Sequence, residues 1–329
     1  MMKIFLTILS AVGMFTGAWA QGDVPPKQEK PIIKCTDTRF ERVKDCADMV
    51  YFDEDQNAVF HQKSGKPFSG FCKSCFFNEN LEMYLQFVDG KPEGQDTVYY
   101  EEGNVNLIRS HYQGKEDGEW IFYNKDGTIK WQKNYYAGMA EGKHIYYYSD
   151  GNVFKIETWK AGQLTGVKKE FYKGKDGKPG ALKKEIGYKN GQFDGLYKTY
   201  FENGEISIEQ LFKDGKKDGQ STFYYDDGKL FYTENYKNGL REGQIKRLFP
   251  NGNTWIIERY KKGQKQGIWE EYYEDGTLKY EGEWDKNVLI DEHFYNENGD
   301  EMRKAEDKTE ENTDEKEAET KAKKKKKKK

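Results

Sequence analysis

Branched aliphatic residues are scarce in this chain of 329 residues, whereas aromatic residues make up 16% of it. This scarcity excludes a large aliphatic core, so most burial has to come from tyrosine, phenylalanine and tryptophan. The 7 prolines against 34 glycines exclude a proline-rich linker and indicate many tight turns. The net charge of -3 excludes a global field that would attract nucleic acid or acidic partners.

Motifs of catalysis and of metal binding are also lacking. No P-loop, G-x-S-x-G or compact Cys-His pattern occurs, and no two histidines have metal-ligand spacing. Acidic residues lie mostly at expected turns and alternate with lysine, which is typical of a solvated surface. Paired carboxylates that cleave a sugar are the remaining enzymatic alternative. The four histidines are His61, His111, His144 and His293. The sequence therefore predicts no enzyme, no cofactor and no metal site.

The N-terminus has the form of a secretory signal peptide over residues 1–20. Lys3 precedes a mostly apolar run at 4–17, and Ala18-Trp19-Ala20 matches a cleavage site. A membrane anchor is the alternative, but the run is shorter than the ~20 residues of a span. We therefore expect export to the periplasm, the cell surface or the medium, with no transmembrane span in the mature chain.

Four cysteines follow the cleavage site: Cys35, Cys46, Cys72 and Cys75. In an exported protein they predict two disulfides, for which three pairings are open. The pairing Cys35–Cys46 with Cys72–Cys75 is preferred because it closes the shorter loops. A redox role for the C-x-x-C pair and a four-cysteine zinc site are alternatives.

An internal repeat dominates the chain. Segments of the form G-x-x-x-G, such as GKEDG and GMAEG, recur every 24 residues, with a single step of 29 caused by an insertion near Gly180. A second glycine, usually after Asp or Asn, follows nine residues after each motif. The motif decays at both ends, as capping repeats do. The first glycines of the motif are Gly90, Gly114, Gly138, Gly162, Gly191, Gly215, Gly239 and Gly263.

Each repeat is predicted to be a β-hairpin. Aromatic and β-branched runs are separated by DG or NG, where a tight turn needs positive φ. Even spacing predicts that Ile129, Trp131 and Tyr135 of one strand share a face, as do their counterparts elsewhere. The predicted fold is all-β: an elongated antiparallel meander, or solenoid ribbon, of nine to ten hairpins over residues 61–300. Three residues before each turn stands an aromatic column, broken only by His111: Phe87, Tyr135, Trp159, Tyr188, Phe212, Tyr236, Tyr260 and Trp284.

The repeat resembles the MORN repeat variant found in bacterial antitoxin-like proteins. The resemblance covers residues 64–299 and rests on G-x-x-x-G, a Tyr-Tyr pair such as Tyr147-Tyr148, then DG or NG and a short β run such as TLKYEGEW. It implies a scaffold that binds proteins or lies near lipid.

The predicted function is that of an exported, non-catalytic scaffold that binds a protein partner at the cell envelope or a host surface. The first alternative is a glycan or cell-wall module that uses exposed aromatics, for which Trp120, Trp255 and Trp269 are the candidates. A packing role for these three residues is the competing interpretation. The second alternative is an antitoxin-like neutraliser of a partner protein.

Two segments flank the repeats. Residues 21–60 are predicted to form a cysteine-containing lead that caps the first strand of the sheet. Residues 301–329 contain an acidic stretch and then seven lysines, and their composition predicts disorder. The lysines would either bind an anionic surface such as phospholipid, lipopolysaccharide or nucleic acid, or neutralise the preceding acids. They are Lys323, Lys324, Lys325, Lys326, Lys327, Lys328 and Lys329.

Overall fold

The computed structural model describes residues 32–40, 43–54, 56–175 and 178–302. The predicted signal peptide and the poly-lysine tail lie outside these residues. The described chain is nearly all β, as predicted, and its one helix is α1 (Cys46–Met49). Strands β1 (Val50–Asp53) and β2 (Ala58–His61) form a hairpin of their own.

The remaining strands form an antiparallel meander in which each long strand neighbours the next one along the chain, and each two-residue strand pairs with the strand before it. Several second strands of a hairpin begin with a separate two-residue strand. The bounds are β3 Gly70–Cys75, β4 Leu81–Val88, β5 Lys91–Pro92, β6 Gly94–Tyr99, β7 Val105–Tyr112, β8 Lys115–Glu116, β9 Gly118–Tyr123, β10 Ile129–Tyr136, β11 Met139–Ala140, β12 Gly142–Tyr147, β13 Val153–Lys160, β14 Gln163–Phe171, β15 Leu182–Lys189, β16 Gln192–Tyr200, β17 Ile206–Lys213, β18 Lys216–Tyr224, β19 Leu230–Lys237, β20 Leu240–Arg241, β21 Gly243–Leu248, β22 Thr254–Lys261, β23 Gln264–Lys265, β24 Gly267–Tyr272, β25 Leu278–Asp285, β26 Val288–Tyr295 and β27 Glu301–Met302.

The chain divides into two compact units. The first extends to Gly219 and includes Asp226–Gly228, and the second comprises Gln220–Tyr225 and the residues from Lys229 onward. In the first unit, one core cluster joins Val105, Ile108, Tyr123, Ile129 and Tyr147. In the second unit, Ile245 is the large apolar side chain that is most completely buried among the described residues.

The first glycine of each G-x-x-x-G motif lies in a two-residue turn. Ala137 and Gly138 have φ values of 50° and 84°, as a type I′ turn requires. The turns also contact one another, because the N–H of Gly138 donates to the carbonyl of Glu116 at 2.8 Å and that of Gly162 donates to Ala140 at 2.9 Å. Successive turns are thus joined by backbone hydrogen bonds.

The second glycine lies directly opposite the aromatic column. Gly118 is the cross-strand partner of Tyr135, and Gly142 is the partner of Trp159. A glycine leaves room for the aromatic ring on the neighbouring strand, which in turn covers the exposed backbone. Both glycines of the motif are therefore explained by the geometry of the hairpins.

The expectation that Ile129, Trp131 and Tyr135 share one face is wrong. Ile129 pairs with Tyr123 whereas Trp131 pairs with Phe122, so a β-bulge separates them. Because Tyr123 and Phe122 are adjacent in a strand, they point to opposite faces, and so do their partners. Trp131 and Tyr135 lie on the aromatic face, and Ile129 lies on the opposite face, in the core cluster.

Candidate functional site

The four cysteines form two disulfides, Cys35–Cys75 and Cys46–Cys72. The preferred pairing of the sequence analysis, Cys35–Cys46 with Cys72–Cys75, is therefore wrong. Cys72 and Cys75 lie on one strand, β3. Three extended residues separate Cα atoms by about 10 Å and turn the side chains to opposite faces, which is too far for a disulfide. Each cysteine of β3 is instead bonded to a different part of the preceding segment.

The segment before β3 lies along that strand. The N–H of Lys73 donates to the carbonyl of Lys44 at 3.2 Å, and the Lys73 ammonium donates to the carbonyl of Cys35 at 2.7 Å. Cys46 also packs against a buried cluster of Phe68, Cys72 and Phe87. The bond to Lys44 occupies a backbone N–H of β3 that would otherwise be open to another strand.

Trp120, a candidate contact residue, is half-buried on β9. Its indole N–H donates to the carbonyl of Ser110 at 3.0 Å. The ring centroid lies 5.3 Å from His111 on one side and 5.3 Å from Tyr135 on the other. The ring and its polar tip are thus both engaged within the protein.

Trp269 occupies the equivalent position in the second unit. Its indole N–H donates to the carbonyl of Arg259 at 3.1 Å, and its ring centroid lies 5.4 Å from both Tyr260 and Trp284. The ammonium of Lys265 lies 4.1 Å from the same centroid. This cation–π contact adds to the packing of the ring.

Trp255 has a different environment from the other two candidates. It lies at the bulge of β22, where Arg247 pairs with Ile256 and Leu248 pairs with Thr254. Its ring packs at 5.6 Å from Phe249. Each of the three tryptophans thus packs in a cluster of its own, with its neighbours along the repeat.

The aromatic column is denser than the sequence analysis predicted. In four of the repeats, the residue two after the second glycine adds a ring between those of the column: Trp120, His144, Tyr197 and Trp269. His111 does not break the column, because it contacts Trp120. Consecutive centroids lie 5.3 to 5.7 Å apart along a ladder of His111, Trp120, Tyr135, His144 and Trp159. The fixed offset from the glycine was the signal that could have revealed it.

Burial shifts the pKa values of two titratable groups, one in the ladder and one on the opposite face of the sheet. Burial lowers the pKa of His144, whose Nε2 lies 2.8 Å from the carbonyl of Asn134. On the opposite face, burial and the nearby Glu119 raise the pKa of Tyr147 to about 12. Both shifts favour the neutral form, as expected for groups taken out of water.

Carboxylates of the G-x-x-x-G motif bind backbone groups, although their alternation with lysine predicts a solvated surface. The Glu141 carboxylate accepts from the N–H of Ala161 at 2.8 Å, and Glu93 accepts from Gln113 at 2.7 Å. In the second unit, Glu242 accepts from Lys262 at 2.7 Å. In each case the donor is the first residue of the next type I′ turn. The acidic residue at this position therefore anchors the following repeat.

An apolar stripe lies exposed on the opposite face of the first unit. It comprises Val167, Leu196 and Leu211, which are 49%, 44% and 40% exposed. Leu196 pairs directly with Leu211, and Val167 pairs with Gly187 between them. The stripe thus has apolar side chains on β14, β16 and β17, and on β15 its position is Gly187, which has no side chain.

Charges flank the stripe on both sides. Lys189 and Lys213 stand on its turn side, each two residues along the strand from a stripe position and hence on the same face. On the other side, charged pairs run parallel to the stripe, with Lys169–Glu185 at 2.9 Å and Lys198–Glu209 at 3.2 Å. An apolar centre with a polar rim is the usual anatomy of a protein interface.

Among the described residues, no group of three or more His, Cys, Asp or Glu side chains is arranged to hold a metal ion. Within the same residues, no helix is long and apolar enough to cross a membrane.

The chain was compared with curated proteins, with solved structures and with models of protein families. No curated protein matches the sequence. Among solved structures, chains from "Crystal Structure of TcdB2-TccC3-Cdc42" and "Crystal Structure of TcdB2-TccC3" are similar at 11% and 13% identity, with TM-scores of 0.18 and 0.19. The matches cover 74% and 75% of this chain but 15% and 14% of those chains, so it spans about a seventh of their length.

The family model described as "MORN repeat variant" matches residues 140–161, 193–214, 217–238 and 265–286. Each segment runs from one type I′ turn toward the next and contains the aromatic column residue, as in Trp159 and Phe212. These four repeats of the chain are therefore MORN repeat variants.

Proposed function

We propose that the chain is an exported, non-catalytic repeat scaffold that binds a protein partner at the cell envelope or on a host surface. The observation that carries this proposal is the apolar stripe of Val167, Leu196 and Leu211. Large apolar side chains that are contiguous and exposed mark interaction sites on soluble proteins. The two disulfides support export, because such bonds persist in oxidising compartments.

The chemistry of the stripe specifies the partner surface. Its centre requires an apolar strip of matching length, and Lys189 and Lys213 on one border favour carboxylates in the partner. The partner is thus a protein with an apolar strip that has an acidic margin. The packed environments of Trp120 and Trp269 favour this function over stacking of a glycan on those rings.

Site-specific photocrosslinking in the native cell tests the proposal. A benzophenone side chain replaces Leu196 in one variant and Gln95 in the control. Both residues directly follow the second glycine of the motif and lie on the same face, but Gln95 lies outside the stripe. We expect one dominant protein adduct from position 196, identified by mass spectrometry, and none from position 95.

Equal or absent crosslinking at the two positions would contradict the proposed binding surface. Cell fractionation in the same experiment tests export, which a cytoplasmic location would contradict. Retention of the wild-type protein on insoluble peptidoglycan, without a protein adduct, would support the glycan alternative instead.

A further inference from the structure

A cavity of about 430 Å³ lies in the first unit, between the β1–β2 hairpin and strands β4 and β7. Its volume is within the range of small-molecule sites in proteins. It is separate from the apolar stripe, which lies on strands β14 to β17. Both the hairpin and the first repeats contribute to its lining.

Apolar side chains form two walls of the cavity. Phe52 and Val59 are cross-strand partners in the β1–β2 hairpin and share one face. Leu85 and Phe87 are two residues apart on β4 and share another face. Phe52 is 57% exposed, so a large aromatic surface remains open to solvent on one wall. An apolar ligand would gain free energy by covering it.

The rim of the cavity is cationic. Lys91, Lys115 and Arg109 line it, and no carboxylate is among the described residues that do so. The backbone of Gly114 in the next turn passes beside Lys91, since a Cβ at position 114 would lie 3.0 Å from the Lys91 Cβ. Asp96 binds Nε of Arg109 at 2.7 Å, which orients the guanidinium group.

We propose that this cavity binds a small carboxylate with an apolar body about the size of one aromatic ring. Lys91 and Lys115 attract the carboxylate, and the guanidinium of Arg109, held by Asp96, orients it. Phe52, Val59, Leu85 and Phe87 cover the apolar body. Among the described residues that line the cavity, none carries a carboxylate, and the nearby Asp96 is paired with Arg109. This site is independent of the protein-binding surface proposed above.

Calorimetric titration of the full chain with 3-phenylpropionate tests the proposal. The neutral probe 3-phenylpropanamide has the same body and lacks the charge. We expect the acid to bind about tenfold more tightly than the amide at low ionic strength, because only the acid pairs with the cations. The double variant Lys91→Gln/Lys115→Gln should lose most of this preference.

Lys216→Gln is the matched control. Lys216 directly follows the first glycine of its motif, as Lys91 and Lys115 do, but it does not line the cavity. This variant should bind both probes as the wild type does. Phe52→Ser should weaken the acid and the amide alike, and circular dichroism checks that the sheet is retained.

In the wild type and the lysine control, three outcomes would overturn the proposal. They are absence of binding by the acid, equal affinity for acid and amide, and an equal loss of affinity in the Lys216→Gln variant. Unchanged binding by the folded Phe52→Ser variant would show that the apolar wall does not contact the ligand, and would overturn the proposal as well.

Discussion

The indole nitrogen of Trp120 donates a hydrogen bond to the carbonyl oxygen of Ser110 on the neighbouring strand β7, at 3.0 Å. Trp269 repeats this bond with Arg259 at 3.1 Å in the second unit. The Trp120 ring also contacts two other rings, so this side chain has a structural role. Its removal should therefore be visible in stability.

Trp120→Phe should lower the free energy of unfolding by about 1 kcal/mol, because the ring is largely kept and the hydrogen bond is lost. Trp120→Ala should cost about 3 kcal/mol, since the ladder also loses its packing. Urea unfolding followed by circular dichroism measures both. The control is Trp255→Phe, whose ring packs against Phe249. Equal losses in the two Phe variants would show that the Ser110 bond contributes nothing.

The disulfide pairing can be read from a tryptic digest without reduction. Trypsin cleaves after Lys44, Lys63 and Lys73, which places the four cysteines in separate peptides. We expect linked peptides for Cys35–Cys75 and Cys46–Cys72. Reduction should release all four peptides. A linked pair of the peptides bearing Cys72 and Cys75 would contradict the structure.

Glu141→Ala should lower the free energy of unfolding by about 1 kcal/mol, because the N–H of Ala161 in the next turn loses its charged acceptor. Glu141→Gln should cost less, since an amide oxygen can still accept. Glu101→Ala is the control, as an exposed glutamate at the other end of the hairpins, and should change stability by less than about 0.5 kcal/mol. Similar losses in the two Ala variants would mean that the loss of a surface charge, and not the loss of the bond to Ala161, lowers the stability.

His144 should make the stability depend on pH. Its pKa in the folded chain lies below the ordinary 6.5, chiefly because of burial, so the unfolded chain binds the proton more tightly. Its contribution is thus fully present above about pH 6.5 and is lost as the pH falls toward the folded pKa. Melting of wild type and His144→Gln at about pH 7.5 and 5.5 measures this. The wild type should lose more stability on acidification, and parallel losses would contradict the assignment.

The hairpins were predictable from sequence because the type I′ turn has a strict requirement. A type I′ turn needs positive φ at both central residues, so Gly138 and its counterparts recur at the hairpin period. The aromatic column followed from the same period, since Tyr135 has a fixed distance from Gly138.

Features that depend on pairing between strands were not predictable. The bulge that turns Ile129 away from Trp131 adds one residue to one strand, and spacing along that strand does not show it. The disulfides depend on which face of β3 each cysteine occupies, and loop length does not determine this. The contact of Trp120 with His111 likewise requires the register of β7 against β9.

The backbone bonds between successive turns make one period of the first unit interchangeable with the next. Gly114 donates to Pro92, Gly138 to Glu116 and Gly162 to Ala140, with the same geometry each time. Excision of residues 115–138 would join Gly114 to Met139 and leave each remaining turn with an equivalent neighbour. The length of such a sheet is therefore set in steps of one whole period, with no turn N–H losing its acceptor at the joint.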